Sequence, residues 1–315
     1  MNLRNRRGAA LLIVLGTVAF LMVISMHLVR LSQASRVGSR FQLARVKARY
    51  GCESAAARMC WMLLKERRTR PNRDLERLYA ARKGMKDVWF SDDTWRDFDL
   101  EHSDGISCKA RIKDWACGLR LDQGTPGESL RKVGAGFVCA FPDELDDYVD
   151  GDHLIRSRGR EQSAYDLPML PRNGHIQFKD ELHYIPGFAP FCMTYSLDGV
   201  DAFRQSLPKR GKELIPVTAS PELLRIGAGQ TEDELAMLTE ALSLLKTQGI
   251  EMRPQLGPLY TGLRKRLAFR ESGVYALRLS CSVEQGATRE LELTVDLEQM
   301  PTGNDPLRYY EYRMR

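Results

Sequence analysis

The chain has 315 residues, 43% of them apolar and 28% charged, a composition that suits a globular body with an anchor and argues against disorder. Its net charge of +6 hides an asymmetry: residues 1–70 hold 14 Lys/Arg against 2 Asp/Glu, whereas residues 71–315 hold 33 against 39. The body is therefore acidic, which speaks against nucleic acid as a partner, and the basic excess flanks an apolar segment, where a membrane surface is the better partner.

Arg4, Arg6 and Arg7 precede Gly8, and from Ala9 to Val29 no formally charged residue appears until Arg30 ends the run. About 20 apolar residues at about 1.5 Å each span about 30 Å, one bilayer core. Lipid offers no partner to free backbone groups, so the segment must be helical. The three arginines predict a cytoplasmic N-terminus and an extracytoplasmic body. A cleaved secretory signal has a shorter apolar core followed by a small-x-small site, but here Met26-His27-Leu28-Val29-Arg30 follows. A plain signal anchor fits the hydropathy. A prepilin fits it too and also accounts for Gly8, because cleavage there leaves Ala9 as the new N-terminus.

Residues 31–70 contain no proline. Phe41, Ala44, Ala48, Cys52, Ala55, Met59 and Leu63 recur at spacings of three and four, one apolar helical face, and Pro71 ends the pattern. One continuous helix from about Ala9 to about Arg68 follows, with its inner half in the membrane and its outer half packed on a domain.

Here the chain resembles a known family. Arg6-Arg7-Gly8-Ala9-Ala10-Leu11-Leu12-Ile13-Val14-Leu15 and Ala48-Arg49-Tyr50-Gly51-Cys52-Glu53-Ser54-Ala55 look like the start of the type II secretion minor pseudopilin K (general secretion pathway protein K). Most pilins carry Glu as the fifth residue after cleavage, and the K family typically lacks it; here that position is Ile13. The resemblance implies cleavage between Gly8 and Ala9 by prepilin peptidase, and methylation of Ala9. It further implies minor pseudopilins of the I and J types as partners. A subunit with Ile13 lacks the carboxylate that would meet a neighbour's N-terminal amine, which suits a tip position. The expected location is the bacterial inner membrane, single pass, with the body in the periplasm.

In the body, the charged segment 72–100 reads as a short helix and loop. Alternation around Cys108, Ala110 and Ile112 predicts a strand near 106–113, with a turn or bulge at Cys117-Gly118. Residues 140–255 read as helices and loops. Asp147, Asp150 and Asp152, in a dense acidic run from Asp143, are Ca²⁺ candidates, since hard cations take several oxygen ligands; a helix start with a solvated acidic loop is the plainer alternative. Ser220-Pro221-Glu222 is a helix start by cap, proline and acid. Pro171-Arg172-Asn173-Gly174, Ile185-Pro186-Gly187, Tyr195-Ser196-Leu197-Asp198-Gly199 and Thr218-Ala219-Ser220-Pro221-Glu222 match family motifs in order. Pro186-Gly187-Phe188-Ala189-Pro190 resembles a helix-hairpin-helix turn, but it lacks the second glycine that phosphate binding uses. Val274–Val283 and Arg289–Leu297 read as a hairpin about Gln285-Gly286 that pairs with the strand near 106–113.

The expected fold class is α+β: a long pilin-type helix, transmembrane in its first half, packed on a small antiparallel sheet with a large inserted helical domain. The expected segments are a leader (1–8), the transmembrane and outer helix halves (9–30, 31–70), the first part of the β-domain (71–139), the inserted α-domain (140–262), and a hairpin and tail (263–315). The seven cysteines form no CxxC pair, which argues against structural zinc. Cys52 and Cys60 are too far apart on one helix to bridge; Cys108 and Cys117 could pair across two strands, or all could be buried thiols. Enzyme signatures are lacking: no HExxH, GxSxG or Walker loop occurs. A membrane-anchored pilus-like or other extracytoplasmic binding protein outside any secretion system is the alternative function.

Overall fold

The computed structural model describes residues 3–69, 74–81, 89–100, 105–121, 126–133, 139–167, 169–205, 214, 216–228, 231–284, 286–297 and 308–315. Helix α1 runs unbroken over Leu3–Thr69. The absence of proline permits this length, and Arg67 and Arg68 in the last turn complement the negative end of the helix dipole. Pro71 lies outside the described residues. Gly51 marks the close approach of α1 to the sheet, because a Cβ there would meet Ile106 Cγ2 at 3.1 Å.

The other elements follow in chain order: α2 (Leu75–Ala81), β1 (Arg96–Phe98), β2 (Ile106–Asp114), β3 (Leu119–Leu121), α3 (Pro126–Val133), α4 (Phe141–Val149), α5 (Phe188–Thr194), β4 (Phe203–Gln205), α6 (Pro221–Ala228), α7 (Glu232–Gln248), α8 (Met252–Leu256), α9 (Pro258–Leu263), β5 (Val274–Val283), β6 (Thr288–Asp296) and β7 (Arg308–Met314). Five strands form an antiparallel sheet in the order β1-β2-β5-β6-β7. The expected pairing of the hairpin with the strand near 106–113 is the β2–β5 contact, with Cys108 opposite Cys281 and Asp114 opposite Tyr275. Strands β1 and β7 were not expected from the sequence. Nor was the parallel β3–β4 ribbon, which begins directly after the turn expected at Cys117-Gly118. A single turn of 3₁₀ helix, Trp115–Cys117, leads into it, capped by Asp114.

Three cores result. One lies between α1 and the inner face of the sheet, where Cys52, Ala55, Met59 and Leu63 meet Ile112, Leu277, Leu279, Leu291 and Val295. The alternation of β2 and β6 directs these side chains inward, as a half-buried strand requires. The second core joins α2 to α7, α8 and α9, with Glu76 accepting from the Met252 amide (3.1 Å) and the Tyr260 hydroxyl (3.1 Å). The third gathers β3, α4, α5 and α6 around Phe141, Phe188, Phe191 and Phe203. Helix caps account for local boundaries. Ser220 Oγ accepts from Leu223 N at the start of α6, as the sequence predicts. Thr231 and Glu234 form a capping box on α7, and Gly249 ends it in the left-handed region.

The described residues between β2 and β5 stand outside the sheet. The outer face of the sheet looks across a cleft of about 520 Å³. Ion pairs bridge this cleft, Arg278 to Asp201 (2.7 Å) and Arg313 to Asp180 (2.7 Å). At its neck Asp114 is fully buried and accepts from Ala116 N (2.8 Å), Ser272 N (2.8 Å) and Ser272 Oγ (2.7 Å). Glu271 beside it accepts from the hydroxyls of Ser91 (2.7 Å) and Tyr275 (2.7 Å).

Candidate assembly surface and acidic cluster

Helix α1 carries two surfaces of different chemistry. Ala44, Ala48, Cys52, Ala55, Met59 and Leu63 are buried against the sheet, as the spacing predicts, whereas Phe41 is exposed because contact with the body begins only at Ala44. On the opposite face Leu43, Val46, Tyr50, Ala57 and Trp61 recur at helical spacing and remain exposed, Tyr50 at 62% and Trp61 at 60%. Isolated exposed apolar residues need no explanation, but a stripe about five turns long marks an interaction surface. The sequence reading missed it because the eye follows the more continuous stripe that meets the sheet. The signal was nevertheless there, in two apolar faces on one helix.

From Leu11 to Leu43 every residue is exposed. This part of α1 is long and apolar enough to cross a membrane, and none of that stretch is buried in the fold. Ile13 projects outward at 67% exposure. Gly8 and Ala9 lie within α1, and their side chains are outside the described residues.

The acidic run starts a helix and ends in an exposed loop at Gly151-Asp152, as the plainer reading expects, but its middle is buried and ion-paired rather than solvated. It forms α4, and Glu144, Asp146 and Asp147 are buried. Arginines from flanking segments neutralise it. Arg131 reaches Asp143 (2.5 Å) and also Asp146, and Arg160 Nε meets Glu144 at 2.7 Å. Arg156 Nη1 lies 2.6 Å from Asp147 Oδ1 and also bonds Asp150. The guanidinium therefore stands between two of the three calcium candidates. Asp152 turns away and accepts from the Leu154 amide at 2.8 Å. Among the described residues, no three His, Cys, Asp or Glu side chains are arranged to hold a metal. Glu161, buried nearby, has no hydrogen-bond partner for either carboxylate oxygen, and burial with the charges of Asp147 and Asp150 raises its pKa. The sequence carried no cue to these arginines because they lie 6 to 16 residues from their acids, outside the spacings at which helical neighbours pair.

The hairpin at Gly187 is also occupied. Its amide donates to Glu144 Oε2 at 2.6 Å, so this donor is spent inside the third core. The cysteines differ from the expected Cys108–Cys117 option: Cys108 is bridged to Cys281 across adjacent strands, and Cys117 is a buried thiol. Burial pushes Cys117, Cys52 and Cys60 up to about 11, so these thiols stay protonated at neutral pH.

A long N-terminal helix, bare and apolar below and laid across an antiparallel sheet above, defines a pilin-like fold, here carrying a large helical insertion. No protein-family model and no curated protein matches the chain. Among solved structures, a chain of the GspK-GspI-GspJ complex from the enterotoxigenic Escherichia coli type 2 secretion system is similar over 88% of this chain and 99% of that one, at 15% identity and a TM-score of 0.51. At that identity the likeness concerns the fold. The shared fold spans nearly the whole of both chains.

Proposed function

We propose that this chain is a K-type minor pseudopilin, placed at the tip of a type II secretion pseudopilus and nucleating its assembly for export of folded proteins. The observation that supports it best is the division of α1. Its lower part is bare and apolar, which suits a bilayer, and its upper part presents the stripe from Leu43 to Trp61 on the side away from the sheet. Such a stripe packs laterally against another pilin-type helix, and subunits of the I and J types are the proposed neighbours. On this reading prepilin peptidase cleaves after Gly8 and methylates Ala9. Ile13 withholds the carboxylate that a subunit above would need, because a lone carboxylate in lipid is costly. The insert adds bulk on the side of the sheet away from α1. The leader faces the cytoplasm and the body the periplasm. The role is structural rather than enzymatic.

Two measurements test the reading. Co-expression with candidate I and J subunits should give co-purification that falls at least tenfold in a Tyr50→Ala/Trp61→Ala variant with unchanged thermal stability. Intact mass of the membrane-extracted protein should show loss of residues 1–8. A mature protein retaining its leader would sink the prepilin assignment, and absence of co-purification would sink the assembly role.

A further inference from the structure

The cations of α1 divide into two groups by height. Several of those beside the sheet are engaged within the fold. Arg49 pairs with Glu53 (2.9 Å), Lys65 lies over the Trp61 ring and Arg67 donates to the Tyr275 hydroxyl. Those below the body are not. Arg30, Arg36 and Arg40 are exposed, and no described acidic side chain pairs with them. Residues 30–49 hold six Lys/Arg and no Asp/Glu, so the neck itself supplies no counter-charge.

Among the described side chains the first buried residue of α1 is Ala44, which places the body about 21 Å above Arg30 at about 1.5 Å per residue. Arg30 sits at the end of the apolar run, in the headgroup layer of a bilayer spanned by α1. Arg36 stands about 9 Å higher, within about one Debye length of the surface. Helical Cα–Cβ bonds tilt towards the N-terminus, so on this flank the long side chains lean back towards the membrane. Cations here work against the orientation that Arg4, Arg6 and Arg7 favour, so topology alone does not account for them.

We propose that Arg30, Arg36 and Arg40 form a collar that binds the phosphate of anionic phospholipid headgroups in the leaflet beneath the body. The collar holds the bare neck upright at a fixed height, ready for lateral packing. This proposal rests on the membrane-spanning part of the function proposed above.

The test uses the full chain reconstituted in phosphatidylcholine vesicles, with spin-labelled phosphatidylglycerol or phosphatidylcholine as probe. The readout is the fraction of label immobilised at the protein. About 1 kcal/mol per cation near an anionic surface is about a fivefold preference. With three cations the parent should thus favour the anionic probe at least about fivefold at low salt, with the preference collapsing in 0.5 M salt on the order expected from a Debye length of a few Å. Arg30→Gln/Arg36→Gln/Arg40→Gln should lose at least half of it, while Arg4→Gln/Arg6→Gln/Arg7→Gln retains it. An unchanged preference in the first variant overturns the collar. So does a parent with no preference, and if co-purification with I and J subunits then falls in that same variant, the collar is a protein-binding surface instead. A chain that fails to enter vesicles refutes the membrane reading itself, whereas one that enters without lipid preference refutes only the collar.

Discussion

Asp114 should make the stability of the body rise as the solution is acidified. Its carboxyl is pushed up from 3.8 to about 6, first by burial and then by the charge of Glu271, against the lowering effect of its three hydrogen-bond donors. The folded pKa exceeds the unfolded one, so the native state binds the proton more tightly. Stability from this group is therefore full below about pH 4 and is lost as pH rises towards 6. For values of 3.8 and about 6, moving from pH 7 to pH 5 stabilises by about 1 kcal/mol, and moving to pH 4 by about 2 kcal/mol. Asp114→Asn cannot titrate. It keeps one oxygen for Ala116 and Ser272 Oγ but turns an amide towards the Ser272 amide, a loss of about 1–3 kcal/mol set against relief of a buried charge. At pH 7 the variant should therefore lie within about 2 kcal/mol of the parent. Urea unfolding of the detergent-solubilised chain, followed by tryptophan fluorescence between pH 4 and 7.5, measures both. Asp93 and Glu161 have raised pKa values and Asp201 a lowered one, so each bends the profile, but all three are common to both proteins. The difference between the two profiles belongs to Asp114, and parallel profiles would refute the reasoning.

Three further outcomes follow from the packing. Cys281→Ser opens the bridge to Cys108, which encloses a separation of 173 residues. It should destabilise by about 2–5 kcal/mol, and reductant should lower the urea midpoint of the parent to match; equal midpoints for reduced and oxidised parent would exclude a stabilising bridge. Met59→Ala, at the fully buried contact of α1 with the sheet, should cost about 2–5 kcal/mol, whereas Trp61→Ala on the opposite face should change stability by less than about 0.5 kcal/mol. Arg156→Ala leaves Asp147 buried and unpaired and should cost about 3–5 kcal/mol, with partial recovery in Arg156→Ala/Asp147→Asn as the check in the same urea assay.

What the sequence made legible was whatever repeats along one element. The 67-residue α1, its sheet-facing stripe, the Ser220 cap and the β5–β6 hairpin all rest on local spacing. Pairings between distant segments were not legible. The clamp of Arg156 on Asp147 and Asp150 depends on how the loop after α4 folds back, and a run of acids looks the same whether solvated or ion-paired. The bridge was within reach: once the strand near 106–113 was expected beside the 274–283 strand, both cysteines sat on partnered strands, and only the register was missing. Short β1, β3 and β4, three residues each, carry too little alternation to announce themselves, and β7 is mostly exposed, so its burial pattern hides its pairing.

The register Asp114↔Tyr275 means that the helical insertion leaves and re-enters the sheet on directly opposed residues. Topologically it occupies the place of a hairpin turn. A genetic event that lengthens or replaces it alters neither the order of the strands nor their hydrogen bonds. The sheet could then have acquired this mass in one step and could host another in its place. Besides the ion pairs across the cleft, an apolar tether limits the exchange: α2, which precedes the sheet in the chain, buries Leu75 and Leu78 in the insert's own core. A replacement module would have to offer that helix a new seat, so the insert and the segment after α1 would be exchanged together.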